Sequence, residues 1–134
     1  MSETLNYSLS PIILIVDDTP ENITLINGLL KDIYRTRVAI SGERALKAAV
    51  QEPRPDLILL DIMMPDLSGY EVAEQLKRDP RTADIPIIFI TAMATMEDEI
   101  LGLQMGAVDY ITKPINPPIV LARVETQLKV KAAA

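Results

Sequence analysis

Four apolar runs in this chain end on residues that can do chemistry. Ile12–Val16 runs into Asp17-Asp18, Leu57–Leu60 into Asp61, Ile87–Ile90 into Thr91, and the short run Tyr110–Thr112 into Lys113-Pro114. A carboxylate taken out of water is costly unless it finds a partner or a proton. Three carboxylates gathered in one place repel one another and raise each other's pKa. A hard divalent cation relieves that repulsion, and Mg²⁺ suits a few carboxylates with waters and phosphate oxygens filling its other positions. One hydroxyl and one ammonium would converge on the same pocket. Taken singly, each residue has an ordinary role: Asp17-Asp18 as a capping pair, Asp61 as a turn former, Thr91 as a strand end, Lys113 as a solvated lysine. Four compatible endings at once favour a shared site.

Such a site needs strands that bring their carboxyl ends together. Five short apolar runs recur, the fifth being Arg35–Ile40, and the stretches between them carry helical spacing and caps. Ile23, Ile26, Leu30 and Ile33 follow the spacing of one helix face behind Thr19 and Pro20 as N-cap and first helical residue. Ser41 precedes an Ala/Leu-rich helix that stops before Pro53. Ser68 and Glu71 form an S-x-x-E capping box ahead of a helix ending near Asp79-Pro80, and Thr95 with Asp98 makes a similar box. Gly106 is a helix stop, and Asn116-Pro117 opens a last helix carrying Ile119, Val120, Val124 and Leu128. Strands alternating with helices imply parallel pairing through right-handed crossovers. Ile12–Val16 and Leu57–Leu60, apolar on both faces, read as central strands. The expected fold is α/β: a five-stranded parallel sheet, doubly wound, in the order 2-1-3-4-5. In such sheets functional groups collect at the carboxyl ends of the strands.

Composition narrows the chemistry. The 134 residues, 49% hydrophobic and 24% charged, suit one globular domain with a real core. A formal net charge of −6 argues against direct nucleic-acid binding. There is no cysteine for a disulfide or thiol nucleophile, and no histidine to serve as general base or metal ligand, so a metal must be held by oxygens. No apolar run reaches the roughly 18–20 residues of a membrane span, so no membrane association and a cytoplasmic location are expected.

The segments "ILIVDD", "PDLILLDIMMPDLSGYE", "IPIIFITA" and "GAVDYITKP", in this order and spacing, resemble the receiver domains of bacterial two-component response regulators, the chemotaxis regulators among them. The resemblance runs from about residue 10 to about 130. It implies a flavodoxin-like (βα)5 fold, with an N-terminal extension over 1–10, the receiver over 11–131 and a tail over 132–134. It implies Asp61 as phospho-acceptor, attacking a phosphoryl group to form an acyl phosphate. Asp18 would ligate Mg²⁺ directly, Asp17 mainly through water, and the Met63 backbone carbonyl would complete the protein's share. Lys113 would pair with one phosphoryl oxygen and Thr91 would donate to another, the Lys113-Pro114 bond being typically cis in this family. The donor would be a sensor histidine kinase or phosphotransfer protein, which fits a chain without histidine. Thr91 and the strand-5 aromatic, Tyr110, would form the switch, repacking the helix over 96–105, the fifth strand and the last helix. Small Ala92 would leave the site open, and Met63 and Met93 would flank it.

Finer expectations follow from the same resemblance. The face spanning residues 95–128 serves many relatives as a homodimer surface. Asp109 and Arg123 stand where one subgroup places interface ion pairs, although "EDEI" lacks that subgroup's basic residues. The ending "INPPIVLARVETQL" resembles receivers that feed cyclic-dinucleotide enzymes, such as those with an HD-GYP output. The chain is expected to be a switch and not an enzyme in the usual sense. The alternatives are a degenerate receiver working by binding alone, and a phosphatase with an aspartate nucleophile. The latter needs two aspartates separated by one residue, and here they are adjacent. No glycine-rich loop follows the first strand, against a nucleotide-binding module.

Overall fold

The computed structural model describes residues 9–92 and 96–133. Strands and helices alternate along it: β1 (Ile12–Val16), α1 (Pro20–Leu30), β2 (Arg35–Ala39), α2 (Gly42–Ala49), β3 (Leu57–Asp61), α3 (Gly69–Arg78), β4 (Ile87–Thr91), α4 (Met96–Gln104), β5 (Asp109–Thr112) and α5 (Pro117–Ala133). All strand neighbours are parallel, in the order β2-β1-β3-β4-β5. This is the doubly wound flavodoxin-like arrangement that the alternation predicts.

Successive strand residues point to opposite faces, so β1, β3 and β4, covered on both sides, are buried along their whole length. Leu14, Val16, Ile58, Leu60, Ile87 and Phe89 pack with Ala45 and Ala49 of α2 and Val72, Ala73 and Leu76 of α3. Ile13, Ile15, Leu57, Leu59, Ile88 and Ile90 face the other way, onto Ile26 and Leu30 of α1 and Val120 and Val124 of α5. Full burial of one such side chain is worth about 1.5–3 kcal/mol, so these two layers fix the sheet far more firmly than any surface contact.

The helix ends follow the capping residues with two differences. Ser41 Oγ accepts the Arg44 N–H at 3.2 Å, and the Ser68–Glu71 box closes in both directions at 3.2 Å. Gly106 takes a φ of 93°, the left-handed conformation that stops a helix at little cost to glycine. Thr19 holds the N-cap position of α1 without a side-chain hydrogen bond, and its own N–H goes to Asp17 Oδ1 at 2.9 Å. Ile33 is 51% exposed and lies beyond α1, because the chain must turn after Leu30 for Arg35 N–H to reach the Pro11 carbonyl at 3.0 Å and start the β2 ladder. Thr95 of the second box, and Met93, lie outside the described residues. α5 continues through Ala132 and Ala133. No helix among the described residues is long and apolar enough to cross a membrane.

Candidate functional site

Strand register gathers the site. β1 and β3 pair Val16 with Leu60, so Asp17 and Asp61, the next residues, leave the sheet side by side. β3 pairs Asp61 with Ile90, one residue before Thr91, and β4 pairs Thr91 with Thr112, one residue before Lys113. The Lys113 N–H donates to the Thr91 carbonyl at 2.8 Å, tying the last two together. Residues up to 96 positions apart in sequence (17 to 113) thus share one edge of the sheet. The Lys113-Pro114 peptide is cis, and so is Glu52-Pro53, which the sequence did not suggest.

Asp17, Asp61 and Thr91 are buried and Asp18 is exposed. One carboxylate oxygen from each of Asp17, Asp18 and Asp61 lies within 4.8 Å of the others. Lys113 Nζ stands 3.3 Å from Asp61 Oδ1 and 3.6 Å from Asp17 Oδ2. At an effective dielectric near 20, a 3.3 Å ion pair is worth about 5 kcal/mol of Coulomb attraction, comparable to the several kcal/mol that burying each ion costs. One ammonium therefore stabilises one carboxylate and leaves the others in excess. Burial, and after it the charge of Asp17, pushes the Asp61 carboxyl up to about 6 despite Lys113 and a long Met63 N–H bond at 3.4 Å.

The residues fit a hard divalent cation on two observations. The donor set is carboxylate oxygen throughout. Among the described residues, the buried Asp17 Oδ2 has no hydrogen-bond partner, and Lys113 Nζ stands 3.6 Å from it. A buried carboxylate oxygen left in that condition is costly, and a cation held by Asp17, Asp18 and Asp61 would offset that cost with its charge.

Residues 13–125 match the family model described as "Response regulator receiver domain". The chain belongs to that family. As a receiver domain it is 50% identical over 119 residues to the protein named "Probable cyclic di-GMP phosphodiesterase" of Vibrio cholerae, covering 89% of this chain and 27% of that one. It is 41% identical over 124 residues to the response regulator PleD of Caulobacter vibrioides, covering 92% and 27% respectively. The receiver thus spans about a quarter of the length of these relatives (27%). Among solved structures, the "BeF3 Activated DrrB Receiver Domain" superposes with a TM-score of 0.81 at 32% identity, covering 90% of this chain and 99% of that one. Receiver domains are signalling switches that work with histidine kinases and output domains, and they generally bind Mg²⁺ at an acidic cluster of this kind.

Tyr110 of this receiver is half-buried, and its hydroxyl donates to the Asp98 carbonyl at 2.5 Å. Its ring centre lies 5.8 Å from that of Phe89, which in turn meets Tyr70 edge-on at 5.3 Å. Burial and the neighbouring Tyr70 push the Tyr110 phenol up to about 12. Met63 is 62% exposed two residues after Asp61, and Ala92 is exposed beside Thr91.

Three features of the receiver escaped the sequence reading. Phe89 links Tyr70 to Tyr110, but within β4 it reads only as one more apolar residue. Gly102 lies inside α4 where a Cβ would overlap the Tyr110 hydroxyl; an unexplained glycine in a helix was the available signal. Asp66 accepts hydrogen bonds from Gly42 and Glu43, and nothing local marks a partner 24 and 23 residues away. Backbone N–H groups of Leu67, Glu43 and Gly42 hold the Asp66 carboxyl below the usual carboxylate range.

Proposed function

We propose that this receiver accepts a phosphoryl group on Asp61 and passes the signal on through Thr91 and Tyr110. The observation that supports it best is the buried Asp61 carboxylate held against Lys113 at 3.3 Å and beside the incompletely satisfied Asp17. An ionised Asp61 oxygen forms the new bond to phosphorus while the P–N bond of a donor phosphohistidine breaks, its electron pair returning to the imidazole nitrogen. Asp17, Asp18, Asp61 and the Met63 backbone carbonyl would hold Mg²⁺, which when bound supplies charge stabilisation for the transferring group. Lys113 neutralises a phosphoryl oxygen, exchanging its present carboxylate partners for it. The Thr91 hydroxyl donates to a second oxygen. With no histidine in the chain, the donor is a sensor histidine kinase or phosphotransfer protein.

The output follows from packing. Thr91 drawn toward a phosphate vacates space that Tyr110 fills, and α4, β5 and α5 repack around it. Leu103, Val108 and Ile119 stand exposed beside the Asp109–Arg123 pair at 3.6 Å, which supports a homodimer through residues 95–128. The Vibrio cholerae relative named "Probable cyclic di-GMP phosphodiesterase" supports an output of the cyclic-dinucleotide class. The chain catalyses only its own phosphotransfer and slow dephosphorylation, in the cytoplasm, over a receiver of residues 11–131.

The deciding experiment is intact mass after incubation with acetyl phosphate, with and without Mg²⁺, on the native chain and Asp61→Asn. A Mg²⁺-dependent gain of one phosphoryl group, absent in the variant, is the expected result. No gain in the native chain would reduce it to a receiver that acts by binding alone. Amide spectra unchanged from 91 to 124 on phosphorylation would remove the switch.

A further inference from the structure

The loop from Ile62 to Ser68 connects Asp61 to α3, and its outermost carboxylate reaches a different helix. Asp66 Oδ1 accepts the Gly42 N–H at 3.2 Å, and Oδ2 accepts the Glu43 N–H at 3.1 Å. Ser41 Oγ takes the Arg44 N–H at 3.2 Å. The first three N–H groups of α2, which have no partner within the helix, are all satisfied in this way. Two of the three depend on the loop. The backbones are also close: a Cβ on Gly42 would lie 2.7 Å from Leu67 Cβ and 3.2 Å from its carbonyl oxygen.

The other end of the loop is fastened equally well. Gly69 N–H donates to the Ile62 carbonyl at 2.8 Å, and a Cβ on Gly69 would lie 2.7 Å from Ile62 Cα. Met63 sits between the two fastenings, its N–H only loosely bonded to Asp61 Oδ1 at 3.4 Å. Among the described residues this long bond is the one hydrogen bond that ties the Met63 backbone to Asp61, so its position depends on where the loop as a whole is tied. Carboxylate hydrogen bonds at a helix N-terminus are charge-assisted and favoured by the helix dipole.

We propose that Asp66 is a positioning residue for phosphoryl acceptance, bridging the loop to α2 so that the Met63 backbone is held ready beside Asp61 for the cation. The inference rests on the roles given above to Asp61 and Met63. The tie orders the loop before any cation arrives, so that ordering cost does not weaken binding.

The test is Mg²⁺ affinity, read from tyrosine fluorescence and from the Met63 amide resonance, in the native chain, Asp66→Ala, Asp66→Asn and Ser41→Ala. Ser41→Ala weakens the same helix end and leaves the loop tied, so it reports what helix stability alone does. Asp66→Ala should weaken Mg²⁺ binding by about tenfold, the scale on which groups that orient a metal's ligands act. Its phosphorylation by acetyl phosphate should slow at low Mg²⁺ and recover as Mg²⁺ saturates. Asp66→Asn, which keeps one acceptor oxygen, should fall between Asp66→Ala and native, and Ser41→Ala should bind Mg²⁺ as the native chain does. An Asp66→Ala chain that matches Ser41→Ala in Mg²⁺ affinity would overturn the positioning role and leave Asp61 chemistry intact. A native chain that neither binds Mg²⁺ nor gains a phosphoryl group would overturn both.

Discussion

The hydroxyl of Tyr110 occupies the space that a Cβ on Gly102 would fill. A glycine inside a helix normally costs about 0.5–1 kcal/mol relative to alanine. Here the glycine lets the Tyr110 hydroxyl approach α4 and donate to Asp98. Gly28, inside α1, has nothing within 4 Å of where its Cβ would stand. The two positions therefore predict opposite signs. Gly28→Ala should raise stability by about 0.5–1 kcal/mol in urea unfolding. Gly102→Ala should lower it by about 1–3 kcal/mol, because the tyrosine must leave its seat. Near-ultraviolet circular dichroism of the tyrosines should change only in Gly102→Ala.

Asp61 predicts an inverted pH dependence in the metal-free chain. Its carboxyl lies near 6 when folded and at 3.8 in the reference state, so between these values the folded chain binds more protons than the unfolded one. Stability then falls as pH rises from about 4 to about 6, by roughly 2–3 kcal/mol for a shift of this size. Asp61→Asn should therefore unfold at higher urea than the native chain at pH 7.5, with the advantage gone near pH 4. Equal midpoints at pH 7.5 without metal would show that burial does not strain Asp61.

Mg²⁺ should reverse that penalty. A ligand that binds only the folded state at about 100 times its Kd stabilises by about 2.7 kcal/mol. The native chain should gain this on adding Mg²⁺, measured as a shift in the unfolding midpoint. Asp18→Asn should lose most of the gain, although its exposed carboxylate contributes nothing to the buried core.

Lys113→Gln removes the charge 3.3 Å from Asp61 and 3.6 Å from Asp17. Breaking a buried ion pair on one side costs about 3–5 kcal/mol, and since Lys113 remains partly exposed the loss should sit at the low end. Saturating Mg²⁺ should restore part of that stability, while acetyl-phosphate labelling stays slow.

Ser68→Ala opens the capping box with Glu71 at the start of α3. The expected loss is about 1 kcal/mol in urea unfolding, with labelling of Asp61 preserved.

Much of the fold was legible because its causes are local. A run such as "LILL", ahead of Asp61, is apolar at every position and so must be covered on both faces, and Ser68 with Glu71 three residues on can close a capping box without help from the rest of the chain. The types at the strand ends, Asp17-Asp18, Asp61, Thr91 and Lys113, were equally visible, and their convergence followed from parallel strands ending at one edge. Local spacing overran at Ile33, where the apolar period continued past the point at which the chain had to turn into β2.

The alternation of elements, the residue types at the strand ends and hence the class of site they could form were readable from the residues alone. Folding alone set how far Lys113 stands from each carboxylate, that one Asp17 oxygen has no hydrogen-bond partner among the described residues, that Tyr110 lies against Gly102, and that Asp66 ties its loop to α2. The physical reason is range. Period and capping act over three or four residues and are written in neighbours, whereas burial, ion-pair distance and steric fit depend on side chains that the sheet brings together from distant parts of the chain.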